Sequence, residues 1–228
     1  MHRLQRVDRV TMRLASKLSL FSAAHPWSHN EAYAPWILRH ARAMHRQGGE
    51  RALDVGCGTG RLLQRLADVM PHVVGVEPDE PTAARARAGL VGVDNATVIE
   101  ASFDPAAFDP ESFDLVTFVA VLHHLPLGPT LEAMRTLIRP GGRLIIVGLA
   151  REVPADLPLS VASVILNPVI GLIRHPRRAR EVPDSMTAPT SEPNETFAEV
   201  AAIARAALPG VRMRRGLFWR YTAVWSKP

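Results

Sequence analysis

Leu53-Asp54-Val55-Gly56-Cys57-Gly58-Thr59-Gly60 decides the fold of this chain. A short apolar run, Ala52–Val55, ends in a cluster of glycines. Behind the cluster, Arg61–Met70 carries Leu62, Leu63, Leu66, Val69 and Met70 at helical spacing. Glycines here let the chain turn sharply from strand to helix, and let a ligand approach bare backbone. An acid, Glu77, closes the next β-branched run, His72–Glu77, 23 positions after Asp54. That position suits a pair of hydrogen bonds to ribose hydroxyls at the switch point of an open α/β sheet.

The same alternation continues outward. Thr82–Leu90 reads as a helix, Ala96–Glu100 and Phe113–Val119 as strands, and Thr130–Ile138 as a helix. Arg143–Val147 follows the turn Pro140-Gly141-Gly142 as a fifth strand. Strands alternating with helices imply right-handed βαβ units and a parallel sheet covered on both faces, whose strands are nearly continuous in apolar residues. Thr196–Leu208 reads as a helix capped by Asn194 or Thr196, ending at Pro209-Gly210. Val211–Val224 reads as paired strands with a turn near Arg215-Gly216, and Leu217–Trp225 alternates as a strand does.

With 228 residues, near-average composition and a net charge of +5, the chain is expected to be one domain. Disorder, collagen-like repeats and a disulfide scaffold are excluded. The single cysteine forms no internal disulfide, consistent with a reducing cytoplasm, where the chain is expected to reside. Read along the sequence, no uninterrupted apolar run reaches the ~18 residues that span a bilayer, so no integral membrane segment is expected. The basic N-terminus carries Leu4, Val7, Leu14 and Leu18 at helical spacing. It reads as an amphipathic helix on the domain, with a membrane-surface helix or a true start at Met12 as alternatives. Proline is in excess, and seven of the 19 lie between residues 151 and 193. This stretch, with apolar Leu157–Ile173 and then basic Arg174–Arg180, interrupts the alternation as an insertion. The expected organisation is an N-terminal helical segment (1–45), an alternating core (51–150), the insertion (151–193) and C-terminal helix and strands (194–228).

Glycine spacing separates the ligand classes. A dinucleotide fold places its third glycine at position 61, which is Arg61; here the series is Gly56, Gly58, Gly60 behind Asp54. An acid at 54 opposes a pyrophosphate but suits a cationic amino group. No Gly-Lys-Ser/Thr of a P-loop is present. The expected ligand is therefore a cationic nucleoside without phosphates. These residues, with VGVEPD at Val74–Asp79, Ala101-Ser102-Phe103, FDLVTFVAVLHHL at 113–125 and LIRPGGRLIIV at 137–147, resemble the class I S-adenosylmethionine-dependent methyltransferases of the UbiE-like, methyltransferase type 11 group.

That resemblance implies a doubly wound, mostly parallel, seven-stranded Rossmann-like sheet with an antiparallel C-terminal strand and an inserted cap. It implies S-adenosylmethionine as cofactor and S-adenosylhomocysteine as product. Asp54 and the backbone of Gly56, Cys57 and Gly58 would hold the methionyl part, and Glu77 the ribose. Pro78, Ser102 and Phe103 would flank the adenine, and Val119 and Ala120 would line the methionine side. Many relatives carry Gly-Asp where this chain has Ala101-Ser102, so only a hydroxyl is on offer to the adenine amino group. Trp27, His29 and Tyr33 resemble a lid segment facing cofactor or acceptor.

A sulfonium methyl is already activated, so positioning and exclusion of water carry most of the catalysis. A base helps where the acceptor must lose a proton. His123 and His124, just past the fourth strand, are the candidates, because an ordinary imidazole titrates near neutrality. Cys57 reads as a small loop residue, and the remaining histidines do not have metal-ligand spacing, so no metal is expected. The expected reaction is in-line methyl transfer to a small molecule with apolar surface. An RNA or protein methyltransferase and a non-catalytic cofactor-binding protein are the alternatives. Dispersed arginines and few aromatics argue against nucleic acid as the partner. Arg177, Arg178 and Arg180 read as a solvated basic face, with contact to an acidic or phosphorylated acceptor as the alternative. The oligomeric state is left open.

Overall fold

Alternate residues of the central strands pack on opposite sides, and this divides the core in two. The computed structural model describes residues 25, 27–174 and 192–228. The N-terminal helix expected before residue 25 and the arginines 177, 178 and 180 lie outside the described residues.

The strands are β1 (Arg51–Val55), β2 (His72–Glu77), β3 (Ala96–Glu100), β4 (Phe113–Val119), β5 (Ile138–Gly148), β6 (Arg212–Arg215) and β7 (Tyr221–Ser226). They form one sheet in the order β3-β2-β1-β4-β5-β7-β6. The first five run parallel; β7 pairs antiparallel with both β5 and β6. The fold class and its seven strands are thus as expected. The helices are α1 (Ala34–Arg46), α2 (Arg61–Ala67), α3 (Glu80–Gly89), α4 (Leu127–Leu137), α5 (Leu157–Arg174) and α6 (Phe197–Ala207). Leu53, Val55, Val116, Phe118, Leu144 and Ile146 pack with α4 and α6. Ala52, Leu115, Ile145 and Val147 pack on the other face with α1 and α2. The period-2 alternation of a sheet buried on both sides produces this three-layer arrangement.

Local chemistry sets the helix starts. Asp79 accepts from Thr82 N at 3.1 Å ahead of α3. Thr196 and Glu199 form a reciprocal capping box ahead of α6, satisfying backbone donors that have no partner in the first turn. Two expectations need correction. Leu217–Arg220 is a turn, with Phe218 and Trp219 at φ of 58° and 57°, and the strand begins only at Tyr221. The segment with interrupted apolar sequence is a continuous helix despite Pro168 inside it. Residues Pro154–Arg174 make one helical stretch long and apolar enough, by length and composition alone, to cross a membrane. Ser160, Ser163, Asn167 and Pro168 interrupt the apolar sequence without breaking the helix.

Candidate active site

The carboxyl ends of β1, β2 and β4 meet at the glycine loop. Gly56, Gly58 and Gly60 all have left-handed backbone, at φ of 66°, 56° and 78°. Gly56 N and Cys57 N donate to Val76 O at 2.8 and 3.1 Å, which stitches the loop to the end of β2. A side chain at Gly56 would run into Val121, so the loops following β1 and β4 touch only because position 56 is bare.

Two acids define the electrostatics. Glu77 is buried and accepts from Gly58 N at 2.9 Å through one oxygen and from Asp79 N at 3.1 Å through the other. Asp54 lies beneath the loop, where Thr117 Oγ1 donates to its Oδ1 at 2.6 Å. Burial pushes the Asp54 carboxyl up to about 7; the Thr117 hydrogen bond opposes this, and the Glu77 charge adds to it. Among the described residues neither acid is in an ion pair. A pair of buried carboxylates with no cation is an environment completed by a positive ligand. Bare backbone, ribose-height acid and unbalanced negative charge together fit a cationic nucleoside.

Cys57 is buried, and burial, followed by the charges of Asp54 and Glu77, raises its thiol, so it packs as a neutral group. Of the residues expected around the adenine, Pro78 and Ser102 are exposed, following β2 and β3. Phe103 is half-buried, with its ring edge-on to Phe118 at 5.9 Å. Val119 closes β4. Ala120 is left-handed at φ 57° and donates from its N–H to Val147 O at 2.7 Å, which turns the chain out of the sheet. His123 and His124 follow on a short 3₁₀ helix, Leu122–His124, with ring centroids 4.1 Å apart. Their settings differ: His124 is exposed, whereas half-buried His123 lines a small cavity with Leu149, Val200 and Tyr221.

Trp27, His29 and Tyr33 assemble with α5 and the 217–220 turn. Trp27 Nε1 donates to Asn167 Oδ1 at 2.8 Å, and His29 Nε2 bonds the same oxygen at 3.0 Å. Phe218 stacks on His29 and meets Trp27 edge-on. Tyr33 donates its hydroxyl to Leu217 O at 2.7 Å. Burial lowers the His29 imidazole, with Arg220 adding to the effect and the Asn167 bond opposing it. Burial also draws the Arg220 guanidinium down to about 10; its Nε donates to Asn30 Oδ1 at 3.0 Å. Glu31 joins this assembly to both sides, pairing with Arg61 at 3.0 Å and Arg174 at 3.3 Å. A second cavity opens beside it, walled by Ala150, Leu159, Phe197, Trp219 and Tyr221, with Arg215 and Arg220 at its polar edge.

Sequence reasoning missed Thr117, Asn30, Asn167 and Arg220. Thr117 had a legible signal: a lone hydroxyl in the apolar run FDLVTFV, in register with Asp54. The other three act across 138 to 190 residues of sequence, beyond any local pattern.

The family described as "Methyltransferase domain" matches residues 53–146. An uncharacterized methyltransferase of Mycobacterium bovis is 32% identical over 211 residues, covering 89% of this chain and 98% of that protein. The chain belongs to the class I S-adenosylmethionine-dependent methyltransferases. This methyltransferase is also 31% identical to a ubiquinone biosynthesis O-methyltransferase of Paraburkholderia xenovorans, over 68% of this chain and 66% of that one. A S-adenosylmethionine-dependent methyltransferase structure from Aquifex aeolicus shares the fold. Its TM-score is 0.53 at 18% identity, covering 79% of this chain and 83% of that one. The family and fold imply S-adenosylmethionine as the methyl donor.

Proposed function

We propose that this methyltransferase modifies a hydroxyl of a small molecule with substantial apolar surface. The cavity between α5 and the 217–221 turn carries this reading: Leu159, Phe197, Trp219 and Tyr221 give it aromatic and aliphatic wall, beside a polar edge of Arg215, Arg220, Glu152 and Asp156 in which Arg215 pairs with Asp156. The O-methyltransferase relative supports the acceptor class.

When bound, S-adenosylmethionine would supply a sulfonium-activated methyl for in-line transfer to an acceptor nucleophile, with S-adenosylhomocysteine as the leaving group. Glu77, held by two backbone N–H groups, takes the ribose hydroxyls, and the Gly56, Cys57 and Gly58 backbone takes the methionyl part. Asp54 contributes negative charge from beneath that loop, and Thr117 fixes its orientation. Pro78, Ser102 and Phe103 flank the adenine; Val119 and Ala120 line the methionine side. Trp27, His29 and Tyr33 close the lid over the acceptor, and α5 forms the cap. Residues 51–150 thus serve as the cofactor core of a single domain.

The histidine pair supplies the base. His123, half-buried in a small cavity beside Tyr221, and exposed His124 are the two candidates for that role. The test incubates full-length protein with methyl-labelled S-adenosylmethionine and a metabolite extract, then separates small-molecule, RNA and protein fractions. Label in an organic-soluble small molecule supports the reading. Label in RNA or protein, or binding without turnover, overturns it. His123→Ala and His124→Ala are assayed separately. A base costs about 10²–10⁴-fold in kcat when removed, with S-adenosylhomocysteine affinity unchanged.

A further inference from the structure

Helix α5 is inside out. The residues it buries fully are Ser163, Pro168 and Gly171, with Leu159, Leu166, Asn167 and Ile170 half-buried beside them. Ser163 accepts from Phe218 N at 2.7 Å, Asn167 bonds Trp27 and His29, and Gly171 lies against the backbone of His25. The side it turns to solvent is aliphatic: Leu157, Val161, Val164, Ile165, Val169, Leu172 and Ile173 are all exposed, Ile165 at 57% and Ile173 at 74%. These positions recur at helical spacing, so they form one stripe about 24 Å long at 1.5 Å per residue. Scattered exposed leucines need no explanation, but a continuous stripe on a helix whose polar residues face inward marks a surface with a partner.

We propose that this stripe docks the enzyme, lying flat, on an anionic lipid bilayer. The polar face favours lying flat over spanning: Ser163, Asn167 and Gly171 are engaged with the 218 turn and residues 25–29, and a spanning helix would have to give these contacts up. Charge favours an anionic surface. The 24 residues of chain preceding His25 carry Arg3, Arg6, Arg9, Arg13 and Lys17 against one acid, Asp8, and the chain carries +5 overall. That segment joins the described structure where His25 meets Gly171, on α5 itself. A basic stretch of sequence and an apolar stripe in one chain are the two signals that stable peripheral binding requires. A second copy of the chain fits less well. A stripe 24 Å long on a helix about 10 Å wide offers roughly 250 Å² per copy, against the ~800 Å² per partner of a stable interface. The docking rests on exposure and charge alone and is independent of which acceptor is methylated.

The experiment uses the full chain with vesicles of phosphatidylcholine, either pure or containing one quarter phosphatidylglycerol. Co-sedimentation with the anionic vesicles is expected, falling at least tenfold in V161E/I165E and unchanged in Val91→Glu, an exposed position away from α5. S-Adenosylhomocysteine binding by calorimetry stays equal in all three, which shows that they are folded. A dye on the thiol introduced by Ile165→Cys is expected to shift to the blue with anionic vesicles; buried Cys57 does not compete for label. The docking is overturned if the wild type stays in the supernatant or if the double variant sediments as the wild type does. It is equally overturned if the introduced thiol resists labelling in lipid-free monomer, the chain's own N-terminus then covering the stripe. A concentration-dependent dimer dissociated by Ile165→Glu without vesicle binding assigns the stripe to a second copy instead.

Discussion

Replacing Asp54 by Asn should make the resting protein more stable while weakening cofactor binding, and the gain should depend on pH. Asp54 is buried, without a cation, and its carboxyl sits near 7 against an ordinary 3.8. Three pH units correspond to roughly 4 kcal/mol at about 1.4 kcal/mol per unit. The raised value means that folding favours the protonated acid. The associated stability is fully present below pH 4, is lost as pH rises toward 7, and stays lost above it. The amide of the Asp54→Asn variant would keep the bond from Thr117 through its own oxygen, but it places an N–H₂ group where the second carboxylate oxygen was, costing about 1–2 kcal/mol if unpaired. The expected net gain at pH 8 is about 2 kcal/mol. In a chain of this length that is a rise in Tm of about 4–8 °C. At pH 4 the gain should vanish or reverse. Thermal unfolding of both proteins across that range reads the difference. Calorimetry should show S-adenosylhomocysteine binding at least tenfold weaker. A variant no more stable than the wild type at pH 8, or one with the same offset at both pH values, refutes the reasoning that Asp54 is an unbalanced buried acid.

Three further outcomes follow from the same geometry. Glu77→Gln keeps the acceptor for one of the two backbone N–H groups but removes the charge, and should weaken S-adenosylhomocysteine binding about 10–100-fold by calorimetry. Gly56→Ala forces a side chain into Val121 from a left-handed backbone; a loss of about 1–3 kcal/mol in denaturant unfolding is expected, together with loss of detectable cofactor binding. Ser163→Ala strands the buried Phe218 N–H and should cost about 1–3 kcal/mol, lowering kcat/KM through the 218 turn while S-adenosylhomocysteine affinity holds.

The cofactor half of the molecule was legible because its determinants are local. Asp54, the three glycines and Glu77 lie within two strand–turn–helix units, so spacing alone put them on one edge of the sheet. The strands read as apolar because both faces are covered, and the register that brings Thr117 to Asp54 follows from that parallel pairing. The part built around α5 and the 217–220 turn was not legible. Trp27, His29 and Tyr33 were picked out by the family resemblance of their segment, but what they touch, Asn167 and the 217–218 backbone, comes from elements 138 to 184 residues away. The polar residues of helix α5 are spaced to fall on one face, which a linear count of apolar residues does not show. The alternation read into Leu217–Arg220 could not reveal two successive left-handed residues, which only tertiary packing holds in place.

Glu31 gives the lid a property that neither half has alone. One carboxylate is shared by Arg61, at the start of the helix behind the glycine loop, and Arg174, at the end of the capping helix. Partly exposed pairs of this kind contribute about 0–1 kcal/mol each. A fastening of that strength keeps the turn seated at rest yet yields to ordinary thermal motion. Because both arginines hold the same group, releasing it frees both sides together.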